Sequence, residues 1–348
     1  IAWSSDKLLA FYFSFKLFLA IGSFWALRRI SFDWKKLIFV LLVAGALQGA
    51  MAIGQFLAQE TFSSKWLGVA QHVSSEGGAS VVENASGRWL RAYGTFPHPN
   101  ILGGYLAVIL LIIVWQETRN KKQDTNKSQI SNLKSQEKLV SKCSVFHVLC
   151  YMIIFSGLIV SFSRSTWLAF VVGFAILFFT QKEKRKELGK IAIIFAGVAL
   201  IWISAFSPLF FSRLGGQARL ERKSLSDRQE YVMQAKEIIS ENFWLGVGAG
   251  NYTAEAHKKY PERPIWQIQP VHNVFLLIWA ELGFVGLILF ISTIILTIRK
   301  SFKDKLPLLL ICLYAYMFFA FDHWLWSSHF GILFFFLIIG IIFKQIKE

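Results

Sequence analysis

Cysteine is scarce. The chain has 348 residues and three cysteines, Cys143, Cys150 and Cys312, all in or beside apolar runs. None lies in a polar loop, so neither a disulfide framework nor a Cys-based metal site is indicated. The sequence holds no H-E-x-x-H, no paired-carboxylate pattern and no Gly-x-Ser-x-Gly, which leaves metal-hydrolase and serine-hydrolase chemistry unsupported. No basic stretch precedes the first apolar run, so a cleaved signal peptide is not expected. The first residue is Ile, and an N-terminal portion is expected to be missing or processed. No internal repeat of the kind that marks many transporters is visible. The spans also lack paired Gly- or Pro-broken helices.

What is abundant is apolar and aromatic. Hydrophobic residues make up 55% of the chain, with 34 Phe and 13 Trp, far too many for a soluble domain of this length. Apolar runs long enough to cross about 30 Å of hydrocarbon fall near 8–27, 37–59, 100–116, 143–162, 165–181, 191–211, 272–298, 306–322 and 329–343. The expectation is an all-α polytopic membrane protein with about nine visible spans, 1–348 forming a single transmembrane domain.

Charge sorts the connections into two sets. Segments 28–36, 117–142, 182–190, 299–305 and 344–348 together carry +14 of the formal +16. The loops 60–99 and 212–271 are nearly neutral. The positive-inside rule puts the first set, and the C-terminus, in the cytoplasm, and the two long loops outside. The basic excess is therefore a topology signal. No basic loop interleaves aromatics or carries a recognition motif, so no nucleic-acid partner is expected.

The first outer loop, 60–99, closes on Arg91-Ala-Tyr-Gly-Thr-Phe-Pro-His-Pro-Asn100. Gly94, Pro97 and Pro99 call for compact non-helical backbone, and Asn100 is placed to cap the next helix. Arg88 and Arg91 sit just above the membrane, where an arginine either grips a diphosphate with its planar fork or anchors to headgroups. The large outer loop, 212–271, contains an amphipathic helix with Leu225, Val232, Ala235 and Ile239 at helical spacing. Ser226 and Gln229 read as a capping box, which places Arg228 in the first turn, where its charge opposes the helix dipole unless an anion docks there. The other reading of Arg228 is a surface pair with Asp227 or Glu230.

Gly246-Val-Gly-Ala-Gly-Asn251 follows without a strand or βαβ context, so it reads as a tight turn and not as a dinucleotide loop. His272-Asn273 then opens a span. A histidine at a helix start tends to stay neutral and can serve as a general base; interfacial capping is the alternative. Glu281, about 13 Å farther along the axis, must face the bundle interior, orienting a site or simply hydrogen bonding. Arg164 sits between two closely spaced spans, and Asp322, His323 and His329 lie near the last outer turn.

Taken in order, these pieces resemble the O-antigen ligase and O-antigen polymerase superfamily. The resemblance rests on Arg91-x-x-Gly94-Thr95-Phe96-x-x-Pro99-Asn100, on Ser163-Arg164-Ser165, and on the stretch from Arg228 through Leu245-Gly-Val-Gly-x-Gly-Asn251. It also rests on His272-Asn273-x-x-Leu276-x-x-x-x-Glu281-Leu-Gly-x-x-Gly286. It implies a GT-C-like fold and a metal-independent, inverting glycosyltransferase of the bacterial cytoplasmic membrane, active on its outer face in lipopolysaccharide or other surface polysaccharide assembly. Such proteins move a glycan from an undecaprenyl-diphosphate-linked donor to a lipid or glycan acceptor. They need neither a cofactor nor a nucleotide sugar.

Carried over residue by residue, the resemblance gives Arg91 and Arg228 the diphosphate, with Arg88 and Arg164 assisting. His272 becomes the base, and Asn273 and Glu281 support it. Two departures stand out. Family members commonly have about twelve spans, and His98 occupies a position where they often carry a small or polar residue. The rival class is a small-solute or anion transporter, with outer arginines as a vestibule and Glu281 as a coupling group.

Overall fold

The computed structural model describes residues 1–85, 87–125, 133–215, 219–303 and 320–345. The chain is 73% helical with little sheet. Five helices are long and apolar enough to cross a membrane: Lys7–Arg29, Trp34–Ala58, Pro99–Gln116, Lys182–Ala205 and Val274–Leu296. The protein is thus an all-α membrane protein. Three further apolar helices, Val145–Val160, Arg164–Thr180 and His329–Ile341, are shorter. They coincide with expected spans at 143–162, 165–181 and 329–343. The expected span 306–322 falls almost wholly outside the described residues.

One boundary needs correcting. The run 191–211 is not one helix. Its helix begins at Arg185 and stops at Ala205, and a separate one runs from Ser207 to Gly215.

Two compact units make up the chain, one of Phe32–Arg222 and one of Ile1–Ser31 with Lys223–Glu348. Numbering all helices in chain order, the first unit contains α2 (Trp34–Ala58), α3 (Pro99–Thr125), α4 (Leu133–Val160), α5 (Arg164–Thr180), α6 (Arg185–Ala205) and α7 (Ser207–Gly215). Its centre is α3, which packs on α2, α4 and α5 and is buried over nearly all of its apolar stretch.

The closest approach in this unit is between α2 and α4. A Cβ on Gly49 would meet Ile153 O at 2.6 Å, and one on Gly157 would meet the Gly49 Cα at 2.7 Å. Gly45 and Gly49 form a small-xxx-small face that lets two backbones touch where burial from water gives helices no drive to associate. The loop at 60–99 is more ordered than its sequence suggests. It folds into two antiparallel hairpins, β1 (Glu60–Thr61) with β2 (His72–Val73) and β3 (Val81–Asn84) with β4 (Gly87–Leu90).

The second unit contains α1 (Lys7–Arg29), most of α8 (Arg219–Glu241), α9 (Tyr252–Lys259), α10 (Val274–Lys303), α11 (Trp324–Ser327) and α12 (His329–Gln345). Asp6 starts α1 by accepting from the Leu8 and Leu9 N–H groups at 2.9 and 3.1 Å, as an N-cap should. From there α1 packs along α12.

α10 is broken. Gly283 has φ 71° and ψ −175°, in a region only glycine enters freely, so the spans do include one glycine break that the sequence pattern did not suggest. The carbonyls of Ala280 and Glu281, freed by the break, accept from Val247 N and Gly248 N at 2.9 and 2.8 Å, and Phe284 N donates to Phe243 O at 2.8 Å. The segment 243–248 thus fills the break. This is the condition for irregular backbone at membrane depth, where an unpaired peptide group costs several kcal/mol. A Cβ on Gly283 would strike the Trp244 carbonyl, and one on Gly246 would strike that of Glu281. The Gly246–Asn251 motif is therefore a tight turn, as expected, and also a plug for a broken helix.

Candidate functional site

The long polar segment of the second unit brings Arg228 and His272 together. α8 starts at Arg219, so the capping box at Ser226 and Gln229 is absent, and Arg228 lies more than two turns inside the helix. The anion-at-a-helix-start argument for Arg228 fails on this geometry. Its charge is nonetheless available. Glu230 pairs with Arg263, and Arg228 makes no hydrogen bond or ion pair to any described residue. It is half-buried, and Tyr231, three residues on and hence on the same helix face, is buried.

His272 immediately precedes the Asn273 cap, whose Oδ1 accepts from Leu276 N at 3.1 Å. Its ring lies near-parallel to that of Tyr231, with centroids 6.0 Å apart and planes at 12°. It also stands edge-on to His323, at 4.9 Å and 81°. His272 Nδ1 is buried and has no hydrogen-bond partner among the described residues. The imidazole is pushed down to about 4, first by burial and then by the like charges of His323 and Arg228, against the pull of Asp322. His272 is therefore neutral at pH 7. Neutrality was the expectation, but burial is its main cause here and not a helix dipole. His323 is likewise held below the usual histidine range by burial and by Arg228, with Asp322 opposing.

Beneath this cluster sits Glu281, 4% exposed. It accepts from Trp326 Nε1 at 3.0 Å, and the backbone N–H groups of Gly250 and Tyr252 also bond to it. One carboxylate thus ties α10 to α11 and to the turn that fills the break. The chain's first residues secure that turn from the other side. Ser5 N donates to Val247 O at 3.1 Å, and Asp6 N to Asn251 Oδ1 at 2.9 Å.

The remaining expected residues lie in the first unit, each with internal partners. Arg91 is 6% exposed. It donates through Nε to Ser161 O at 2.8 Å and through Nη2 to Asn100 Oδ1 at 2.7 Å. Asn100 is therefore not the helix cap that the sequence suggested. His98 takes that role, accepting from Asn100 N through Nδ1 at 3.1 Å, with Pro99 at the first helical position, where its missing N–H costs nothing. The departure at His98 is thus a structural substitution for a cap.

The Gly94 turn is held from α2. Gln55 accepts from Tyr93 N and Gly94 N and donates to Gly94 O, while Gln48 accepts from Thr95 N and donates to Thr95 Oγ1. Arg88 donates to Ser75 O and Glu76 O at 3.4 and 3.0 Å. Arg164 pairs with the buried Glu221 at 2.9 Å, and Arg213 pairs with the same carboxylate. The turn between α4 and α5 is thus gripped twice, by Arg91 at Ser161 O and by Arg213 Nε at Phe162 O, 3.0 Å.

Sequence reasoning missed two members of the His272 cluster, Tyr231 and His323 in its contact role. Tyr231 carried a signal, being one turn after Arg228 on the buried side of the helix. His323 carried almost none, since 51 residues separate it from His272. Among the described residues, no three His, Cys, Asp or Glu side chains gather in a way that could hold a metal ion.

No curated protein matches the chain. A family model described as O-antigen ligase matches residues 149–291. That stretch holds Arg164, Arg228, His272, Asn273 and Glu281, and it leaves out Arg88 and Arg91. Across residues 149–291, therefore, this membrane protein is similar to the O-antigen ligase family, and the resemblance read from its motifs to the O-antigen ligase and polymerase superfamily is borne out there.

Proposed function

We propose that this protein transfers a glycan from an undecaprenyl-diphosphate-linked donor to an acceptor hydroxyl on the outer face of the bacterial cytoplasmic membrane. The observation that carries the proposal is a neutral imidazole beside an uncommitted guanidinium. His272 is deprotonated at pH 7, and Arg228, in the same cluster, makes no hydrogen bond or ion pair with any described residue. One can accept a proton while the other receives a phosphate.

In this mechanism the acceptor hydroxyl approaches His272, which removes its proton as the oxygen attacks the anomeric carbon. The glycosidic bond to the diphosphate breaks on the opposite face, giving inversion. Arg228 takes up the charge that develops on the leaving diphosphate, and neither a metal nor a nucleotide sugar takes part. Arg91, with Arg88 and Arg164, is the proposed second contribution to the diphosphate. A nine-span, GT-C-like arrangement with a cytoplasmic C-terminus completes the reading.

The test is transfer from a purified lipid-linked glycan in proteoliposomes, with His272→Ala and Arg228→Ala beside the wild type. Undiminished transfer by either variant removes that residue from the mechanism, and complete loss of wild-type transfer in EDTA removes its metal-free form. A glycan-lengthened lipid product identifies a polymerase; glycan on a distinct acceptor identifies a ligase.

One observation favours the rival transporter reading, because broken helices often build ion sites at membrane depth. Here the peptide groups freed at Gly283 bond to residues 243–248, and Glu281 is engaged by Trp326. Solute uptake by proteoliposomes without glycan lipid would restore that reading.

A further inference from the structure

His272 has nothing of its own to fix its ring. Its Nδ1 is buried without a hydrogen-bond partner among the described residues, so two neighbouring rings set its plane. Tyr231 lies parallel to it and His323 stands across it. Of the two, His323 is the one locked by chemistry. Its backbone N–H donates to Asp322 Oδ1 at 2.8 Å, and its Nδ1 lies 2.6 Å from Ser327 Oγ. The Ser327 hydroxyl also lies 3.2 Å from the carbonyl of His323 one turn back.

Ser327 therefore fixes the orientation of the ring that abuts His272.

We propose that His323, locked by Ser327, is a positioning residue that holds the His272 imidazole in one plane for proton removal from the acceptor hydroxyl. The proposal rests on His272 being the base. His323 touches neither the donor nor the acceptor and acts only through His272. The charged and titratable groups facing His272 are Arg228 and Tyr231 from α8, and Asp322 and His323 ahead of α11. A proton on either histidine disfavours a proton on the other. His323 thus also helps keep His272 unprotonated as the medium acidifies.

The experiment uses the full chain in proteoliposomes with a lipid-linked glycan, and measures kcat, donor KM and the pH profile. Ser327→Ala leaves His323 in place but frees its ring. Its kcat is expected to fall roughly tenfold, the size of effect that loss of orientation produces, with donor KM unchanged. His323→Gln is expected to lose kcat similarly. It also removes a ring whose protonation opposes that of His272, so its acid limb should move to higher pH.

Wild-type kcat in Ser327→Ala together with an unmoved acid limb in His323→Gln would overturn the proposal. So would an effect confined to KM, which would make His323 a substrate contact. If His323→Gln does not fold, Ser327→Ala decides alone. His272→Ala separates the two claims. An active His272→Ala removes the base itself, whereas an inactive one beside a fully active Ser327→Ala removes only the positioning role.

Discussion

Arg91 and Arg228 carry the same guanidinium into opposite surroundings. Arg91 is almost fully buried and is bonded to the α4–α5 turn and to Asn100. Arg228 is half-buried on a helix face, next to a neutral histidine, and makes no ion pair with any described residue. A buried guanidinium with its donors engaged fixes backbone, because removing it leaves carbonyls and an amide oxygen unpaired. A guanidinium held half in water with its donors free is a charge kept for a ligand. Removing the two side chains should therefore carry very different structural costs.

Substitutions can break that contrast. His272→Ala is expected to have the largest effect, lowering kcat by roughly 10²–10⁴, the span for loss of a general base. Arg228→Ala should follow, with a kcat loss of about 10²–10³, as when one charge-stabilising donor is removed, and with a melting temperature close to wild type. Similar kcat losses with a collapsed melting temperature would mean that Arg228 is as structural as Arg91. Arg91→Lys is expected to lower stability by about 2–4 kcal/mol, because lysine cannot reproduce the fork that serves Ser161 and Asn100. Thermal unfolding in detergent reads this directly. An intact fold with lost transfer would instead assign Arg91 to the diphosphate itself.

Glu221→Gln should cost a similar ~3 kcal/mol, since it neutralises the buried partner of Arg164 and Arg213. The smallest effect is on pH dependence. An unfolded His272 takes up its proton near 6.5, whereas the folded ring resists until about 4. Protonation therefore favours the unfolded chain as pH falls through that window, and the histidine's contribution to stability, whole above it, is lost across it. Replacing His272 with Asn should flatten the fall in melting temperature between those two values.

Much of this was legible in the chain. Apolar runs located the helices, and the motifs located Arg228, His272 and the Gly246 turn. What escaped depends on contacts that local patterns do not encode. Ser226-x-x-Gln229 has the form of a helix start, yet α8 begins at Arg219, because the polar stretch before it also accepts helix and offers no periodicity to mark its first turn. Asn100 looked like a cap, but a buried arginine claims its oxygen, and His98 caps in its place. Gly283 reads as an ordinary helical glycine. Only the arrival of residues 243–248 makes its left-handed backbone affordable. The link from His272 to His323 depends on the packing of α10 against α11, for which the sequence carries no spacing rule.

The filled break in α10 also bears on exchange of parts. Two N–H groups of the polar loop before α10 serve as its missing turn, so loop and helix are halves of one hydrogen-bonded unit. A chimera that imports a foreign loop at 212–271 while keeping this α10 would strand the Ala280 and Glu281 carbonyls inside the bilayer unless the new loop delivered donors at the same height. Swaps between such proteins should therefore succeed when the cut is made below Gly283 and fail when it is made at His272. The transplantable piece is the loop together with the first two and a half turns of the helix that carries the histidine.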